Sequence, residues 1–546
     1  MTAVDRTVAD QTGAGNGHFL SAEARGQDAD ALRRVTSGAL WSGASTLLLK
    51  LANLVLMAVV VRLVTPREFG VFAVAFTVHA VVTSMSELGV VSVLQRGDTD
   101  PDKLAPTVAT VSLVSAATVA TGMYLLAAPL ATALGADEAA PAIRVMALAV
   151  LMVGVFAVPG AMLARDFQQN RIFRANLVAF VPSSALLLVL ASAGEGALAF
   201  AWSRVLGQLV VGVVMALSAD KRYGFGFDRG VLRFVLGVGL PLAGANLVGY
   251  TLLNIDYAFI GRLLGPVELG VYVLAFNVAN WSMSLLNAMI NGVAVPMFSR
   301  LRHDPAALAR ALWRAHQAVA VIGWPIAALS AASAGPLIET VYGRTWIAAA
   351  PVLAVLAPYG VLAVHALLYS NVLVGGAAHA RMLLYVQLIW LATLIPAMWL
   401  GVQWEGVMGA AVAHVVVIVL VVAPTYLIAV RRMSGVSSSG VIRTVVPIAC
   451  AAVLAAGADW LVAEQLTSPW SRLLSGLAVG CMVYLLLVAR LAQTVLPDSE
   501  NGTLGRLSTG LRRILELADL PRSALMHSVV RRNSNKQQPH LSNSEG

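Results

Sequence analysis

Apolar residues fill this chain in long runs, broken by short clusters of arginine, proline, glycine and acidic residues. The runs fall near 38–64, 69–94, 105–130, 143–163, 176–193, 197–218, 234–261, 269–295, 315–335, 346–374, 382–400, 406–430, 443–463 and 472–489. Each approaches or exceeds the ~20 residues a helix needs to cross a ~30 Å hydrocarbon core. They lack the period-two alternation of a barrel strand, so helices are the spanning element available. The pattern predicts an all-α polytopic membrane protein with about 14 transmembrane helices.

Composition sharpens that picture. Of 546 residues, 58% are apolar and 12% are charged, and the mean hydropathy is +0.78. Residues 1–35 and 491–546 hold 21 of the 65 charges, leaving 44 for the 455 residues between them. A water-exposed fold is about one-quarter charged. A soluble enzyme, a nucleic-acid module and a one-pass receptor are thereby excluded. The net charge of +9 tracks the loops, and Cys450 and Cys481 both sit inside apolar runs, without the spacing of a disulfide framework or metal site. No cleavable signal peptide is evident.

Orientation follows from the loop arginines and lysines. Loops after even-numbered runs hold 17 of them, from Arg96 to Arg443, and loops after odd-numbered runs hold six. Both termini are therefore expected on the cytoplasmic side of a bacterial cell membrane. Residues 1–35 read as a disordered tail. The basic tail 491–546 holds Leu504, Leu507, Leu511 and Leu515 beside Arg506, Arg512 and Arg513, either an amphipathic helix on the inner leaflet or a solvated, frayed one.

The chain also repeats itself. Residues 62–76 (RLVTPREFGVFAVAF) match 262–276 (RLLGPVELGVYVLAF) at an offset of 200. At an offset of 210, Glu195-Gly196 meets Glu405-Gly406, and Arg204 meets His414. This predicts two six-helix repeats forming two lobes, 36–220 and 229–432, followed by two extra helices within 443–490. Halves with an even number of spans enter from the same side, as in transporters that rock two lobes around a central cavity.

The stretch Asn254-Ile255-Asp256-Tyr257-Ala258-Phe259-Ile260-Gly261-Arg262, with Leu269-Gly270-Val271-Tyr272, Ala275-Phe276-Asn277 and Pro296-Met297-Phe298-Ser299-Arg300-Leu301, resembles the polysaccharide flippase (Wzx-type) family. So does the first copy, ending in Glu87-Leu88-Gly89. The resemblance runs over residues 36–490 and implies a member of the multidrug/oligosaccharidyl-lipid/polysaccharide exporter superfamily. It implies alternating-access transfer of a polyprenyl-diphosphate-linked oligosaccharide to the outer leaflet, through a cationic cavity that receives the diphosphate. The partners it implies are the lipid-linked oligosaccharide, membrane lipids and the polymerase or assembly proteins of polysaccharide synthesis, with no nucleic acid. No cofactor is expected; a proton or sodium gradient is the candidate energy source.

Individual residues are read from their own chemistry. A mid-span lysine costs roughly 2.5–3.5 kcal/mol on insertion scales, so it faces a cavity or a partner. Lys50 shares a polar face with Ser42, Thr46 and Asn53, and either binds diphosphate or pairs with Glu87. His79 and Glu87 lie on one face at steps of four and are candidates for proton coupling. Arg204 either hands phosphate outward or snorkels to the interface. Asp256 either binds a coupling cation or pairs with an arginine at the outer rim. Asn277, Asn280, Ser284, Asn287 and Asn291 recur at steps of three and four. That polar stripe suits a cavity lined for sugar hydroxyls, or else is interhelical glue.

Two alternatives stand beside the flippase. A cation-coupled drug exporter would need a small apolar pocket and no Lys50. A membrane-embedded glycan polymerase or ligase would need a sizeable outer loop or a carboxylate cluster, and the longest such loop holds Asp137 and Glu138 as its acids. No HExxH, nucleophile elbow or phosphate-cradling loop supports an enzyme.

Overall fold

The structure, a computed structural model, describes residues 48–86, 93–94, 100–301, 304–374, 380–434 and 439–495. The tails expected at 1–35 and beyond 495 lie outside them, as does Glu87. Among the described residues there is no strand. Ten stretches of the described residues are long and apolar enough to cross a membrane. The chain divides into two compact units, Met1–Gly270 and Val271–Gly546.

The first unit begins with α1 (48–63) and α2 (Pro66–Ser86). Next come α3 (Pro101–Leu125), α4 (Ala127–Ala133), a 3-10 turn at Asp137–Ala139 and α5 (Ala140–Val155). They lead to α6 (Ala157–Arg165), α7 (Gln169–Ser192), α8 (Ala197–Ser218), α9 (Arg229–Leu264) and the start of α10 (Pro266–Leu301). The packed pairs are α7 on α8, α3 on α5, α5 on α8 and α9 on α2.

The second unit takes the rest of α10, then α11 (Pro305–Ala332), α12 (Ala334–Val341), a 3-10 turn at Arg344–Trp346 and α13 (Ala349–Val374). There follow α14 (Ala380–Val417), a π turn at Ile418–Val422, α15 (Ala423–Ser434), α16 (Ser439–Glu464) and α17 (Pro469–Val495). Here α16 packs on α17 and α11, and α13 packs on α11 and α14.

Local chemistry explains the breaks, and the breaks recur. Asp100 and Asp304 each cap a helix whose first residue is proline, accepting from Asp102 N and Ala307 N. Each of those helices is followed by a short helix, a left-handed glycine (Gly135, φ 79°; Gly343, φ 97°) and a 3-10 turn. The Glu-Gly pairs noted in the sequence adopt one unusual backbone twice. Gly196 has φ 48°, ψ −118° and Gly406 has φ 55°, ψ −130°, a region open to glycine and strained for any other residue. Gly406 breaks α14 where the sequence predicts the boundary between two spans. The structural repeat thus extends well beyond the matched letters.

The start of α2 is a capping box. Thr65 N donates to Glu68 Oε2 at 2.7 Å, and Glu68 N donates to Thr65 Oγ1 at 3.3 Å. The backbone of Gly196 packs against the Glu68 side chain, with no room for a methyl group between them. Close approach also joins the two copies of the Pro-x-Glu-x-Gly frame within the first unit. A Cβ on Gly70 would overlap the Pro266 carbonyl oxygen, and one on Gly270 would overlap that of Pro66.

Candidate functional site

Each unit carries a polar residue against the same aromatic position of the repeat. In the first, Phe69, Phe72, Phe76 and Phe200 form a chain of rings with Phe72 stacked on Phe200 at 4.5 Å. The Arg204 guanidinium lies 5.9 Å from the Phe76 centroid, a cation–π distance. In the second, Tyr272 stacks on Phe276 at 5.7 Å, and the His414 ring lies 6.0 Å from Phe276 and 4.9 Å from Tyr359. Arg204–Phe76 and His414–Phe276 are therefore equivalent pairs. One copy keeps a fixed positive charge there; the other carries an imidazole.

His79 sits one turn beyond Phe76, with ring centroids 6.4 Å apart, and is 2% exposed. Its Nδ1 is buried without a hydrogen-bond partner, as is the Thr83 hydroxyl one turn on. The structure thus brings His79 and Arg204 together around Phe76, the histidine buried and the arginine exposed. Lys50 and Asn53 lie on α1; Lys50 is exposed, as are Leu48, Leu51, Leu54 and Val55 around it. Asn53 Nδ2 donates to the Leu49 carbonyl at 3.2 Å. Asp256 is 1% exposed on α9, and its Oδ1 accepts from Tyr257 N at 3.0 Å.

The polar stripe lies on α10. Asn277, Asn280, Ser284 and Asn287 are half-buried, while Ala279, Met283 and Leu286 are buried. At ~100° per residue the two sets are roughly 110° apart around the helix. The apolar set is the packing face: Met283 fits against Gly360, and Leu286 against Gly323. The amide stripe is therefore not what holds α10 to α11 and α13. Ser284 Oγ donates to the Trp281 carbonyl at 2.9 Å, and Asn287 Oδ1 is buried without a hydrogen-bond partner. Asn291 continues the helix, and its side chain lies outside the described set.

Two polar features are absent from the sequence-based expectations. His316 on α11 and His365 on α13 meet with Nδ1 2.8 Å from Nδ1. Asp459 on α16 is 0% exposed and accepts from Ser333 Oγ at 2.7 Å. Each stands without a patterned partner on its own helix, and the pairing becomes visible only once the helices are packed.

At one end of the first unit the loop after α8 is clasped on both sides. Asp220 accepts from Gln168 Nε2 at 2.8 Å and from Arg171 Nη1 at 2.6 Å. These bonds, the one from Gln168 first, hold its carboxyl below the usual carboxylate range. Asp102 binds Lys221 Nζ at 2.6 Å and accepts from the Tyr223 hydroxyl at 2.7 Å. Burial, then the Asp102 contact, pushes the Tyr223 phenol up to about 12.

Comparison with known proteins gives this arrangement a family. Residues 59–351, more than half of the chain, match the family described as polysaccharide biosynthesis protein. The chain is 24% identical to lipopolysaccharide biosynthesis protein WzxC of Escherichia coli, covering 74% of this chain and 82% of that one. It is 22% identical to teichuronic acid biosynthesis protein TuaB of Bacillus subtilis, over 61% and 69%. It is 28% identical to the succinoglycan biosynthesis transport protein ExoT of Rhizobium meliloti, over 56% of this chain and 61% of that protein. Its fold is similar to that of lipid II flippase MurJ in an inward closed conformation, with a TM-score of 0.66 at 12% identity over 84% of this chain and 99% of the other. It is also similar to an inward-facing multidrug resistance MATE family transporter of the MOP superfamily, at 0.58 and 18% over 70% and 94%. The chain is a multi-pass membrane protein with the fold of the MOP superfamily, and it belongs to the polysaccharide biosynthesis protein family.

Proposed function

We propose that the protein moves a polyprenyl-diphosphate-linked oligosaccharide from the inner to the outer leaflet by alternating access, for cell-surface polysaccharide synthesis. The observation that carries this reading is the α10 stripe. Four amide and hydroxyl side chains stand half-buried on a face other than the one where Met283 and Leu286 meet Gly360 and Gly323, in a fold shared with a flippase and a transporter. Such groups both donate and accept, which suits sugar hydroxyls and the water that travels with them. The names of the relatives, which speak of teichuronic acid, succinoglycan and lipopolysaccharide biosynthesis, favour a glycan cargo.

The diphosphate sets a second requirement. An anion crossing a low-dielectric bundle needs compensating positive charge along its path. Lys50 would receive it as a point charge, and Arg204, whose guanidinium lies 5.9 Å from the Phe76 ring, would take it onward. Asn277, Asn280, Ser284, Asn287 and Asn291 would line the sugar path. We place the protein in the cytoplasmic membrane with both termini inside, on the 17-to-6 loop asymmetry, and expect polymerase or assembly proteins as neighbours.

Purified protein in proteoliposomes provides the test. Fluorescent lipid-linked oligosaccharide should become accessible to an external glycan-cleaving reagent faster than in protein-free vesicles. Movement of a cationic dye with no movement of the lipid-linked sugar would favour the multidrug exporter that the second fold neighbour suggests.

A further inference from the structure

His316 and His365 lie 49 residues apart in sequence and meet inside the second unit. Their Nδ1 atoms are 2.8 Å apart and their ring centroids 5.1 Å apart, with the ring planes 17° from parallel, an edge-to-edge contact. They are 1% and 9% exposed. Tyr369, one turn beyond His365, packs its ring 4.5 Å from that of His316. Nε2 of each imidazole is buried without a hydrogen-bond partner.

Counting hydrogens defines what this pair can hold. Two neutral imidazoles carry two N–H bonds between them. One fills the Nδ1–H···Nδ1 contact. The accepting ring must then carry its hydrogen on Nε2, and the donating ring presents a bare Nε2 lone pair to a dry interior. A proton from water added to that lone pair makes the donating ring an imidazolium, and the existing Nδ1 bond becomes charge-assisted. A second proton would set two like charges at hydrogen-bond distance, so the pair stops at one. A shared metal ion fits less well: two ring nitrogens on one tetrahedral zinc at ~2.0–2.1 Å would stand about 3.3 Å apart.

The surroundings favour a mobile proton over a fixed ion pair. No carboxylate lies on α11, α13, α15, α17 or the α10 segment of this unit. The acids of the remaining packed helices are Glu339 on α12, Glu405 at the α14 bend, and Asp459 and Glu464 on α16. All belong to the end away from the pair; Asp459 is bound to Ser333 and Glu339 to Arg344. Asp304, three turns before His316, is taken up in capping α11. Arg310 and Arg314 on α11, Arg300 on α10, Arg443 on α16, Arg490 on α17 and Arg381, Arg431 and Arg432 on α14 and α15 belong to the near end. Among the phenols, Tyr426 on α15 binds Ser370, and Tyr484 on α17 donates to the Val321 carbonyl. His414 on α14 lies against Tyr359.

We propose that His316 and His365 form a single-proton binding site, holding the proton as a hydrogen-bonded imidazolium–imidazole pair whose occupancy couples a proton gradient to transport. The coupling rests on the flippase reading; the proton binding does not.

Two measurements test the two halves separately. The first is nitrogen NMR of the full chain labelled at its nine histidines, in lipid nanodiscs between pH 5 and 9. A through-bond coupling between the two Nδ1 nuclei identifies the pair without any variant. The expected result is uptake of one proton, with both rings shifting together. Rings that stay neutral over the range, or that charge independently to two protons, would overturn the site. The second is transport of lipid-linked oligosaccharide in proteoliposomes with and without an imposed pH gradient. The wild type should be accelerated at least about fivefold by the gradient. His365→Asn, which keeps a polar atom near the Nδ1 position, should retain the gradient-free rate and lose the acceleration. Acceleration that survives in His365→Asn overturns the coupling. A wild type that moves no lipid-linked sugar overturns the flippase reading and the coupling with it, while proton binding still stands or falls with the spectrum. Should His365→Asn fail to accumulate, His316→Gln takes its place.

Discussion

Gly70 and Gly270 hold the same place in the two copies of the repeat, and each is pressed against the helix start of the other. The carbonyl oxygen of Pro266 occupies the space where a Gly70 methyl would stand, and that of Pro66 does the same for Gly270. The reciprocity is what a local two-fold relation between the copies produces. It also explains why the Pro-x-Glu-x-Gly frame is the most legible part of the duplication: proline starts the helix, and glycine admits the neighbouring backbone.

The first prediction concerns that contact. In an unconstrained helix Gly→Ala gains ~1 kcal/mol of helix propensity. At Gly70 and Gly270 the sign should reverse, since overpacking costs about 1–3 kcal/mol. Gly70→Ala and Gly270→Ala should each lower the melting temperature of detergent-purified protein. Gly122→Ala on α3, where a methyl would meet open space, should hold or raise it. Equal melting in all three would show that the contact relaxes freely.

A second prediction separates lining from packing on α10. Cys450 and Cys481 are both exposed and unpaired, so they are first replaced by serine. Cysteines at Asn280, Ser284 and Asn287 should then react with a small water-soluble thiol reagent at least about tenfold faster than one at Met283, which is 2% exposed. Equal protection at all four positions would assign the stripe to helix contacts.

Lys50 carries the third. Lys50→Ala should reduce movement of the lipid-linked sugar by at least about tenfold, a loss of roughly 1.4 kcal/mol, with the protein still accumulating in the membrane. Lys50→Arg should keep part of the activity, because charge remains while reach and geometry change. Loss of protein level in Lys50→Ala, restored together with transport by adding Glu87→Ala, would make the lysine a structural partner of that acid.

The clasp at Asp220 gives a pH prediction. Its folded carboxyl sits below the unfolded value of about 3.9, held there by Gln168 and Arg171. The contribution is therefore fully present above that value and is lost as pH falls through the lower, folded one. The loop after α8 should be equally resistant to proteolysis at pH 8 and pH 5.5 and should open only below about pH 4. Asp220→Asn should increase tryptic cleavage at Lys221 at neutral pH. A loop that loosens between pH 8 and 5.5 would point to a different titrating group.

Much of the architecture was legible because lipid imposes one rule on every span: apolar, helical and about twenty residues long. Glu405-Gly406 could be read as a boundary because its first copy, Glu195-Gly196, has the same letters. The breaks at Phe156 and Ser333, where the chain continues helically after one misfit residue, left no such mark. The α10 stripe was visible since its five members share one helix. His316 and His365 were not, since each alone is an isolated histidine on an apolar run, and only the packing of α13 on α11 makes them a pair.

Asp459 is bound to Ser333, Gly476 and Gly480 let α17 close on Asp459, and the Tyr484 hydroxyl reaches the Val321 carbonyl. Together these contacts fasten the last two helices to α11 along much of its length. The descendants of a duplication are thereby no longer equals, because one of them tows an outrigger through the bilayer. Any to-and-fro displacement of α11 must shear lipid around two additional cylinders. Membrane viscosity and lateral pressure then brake one half more than the other, and acyl-chain composition becomes a throttle on turnover.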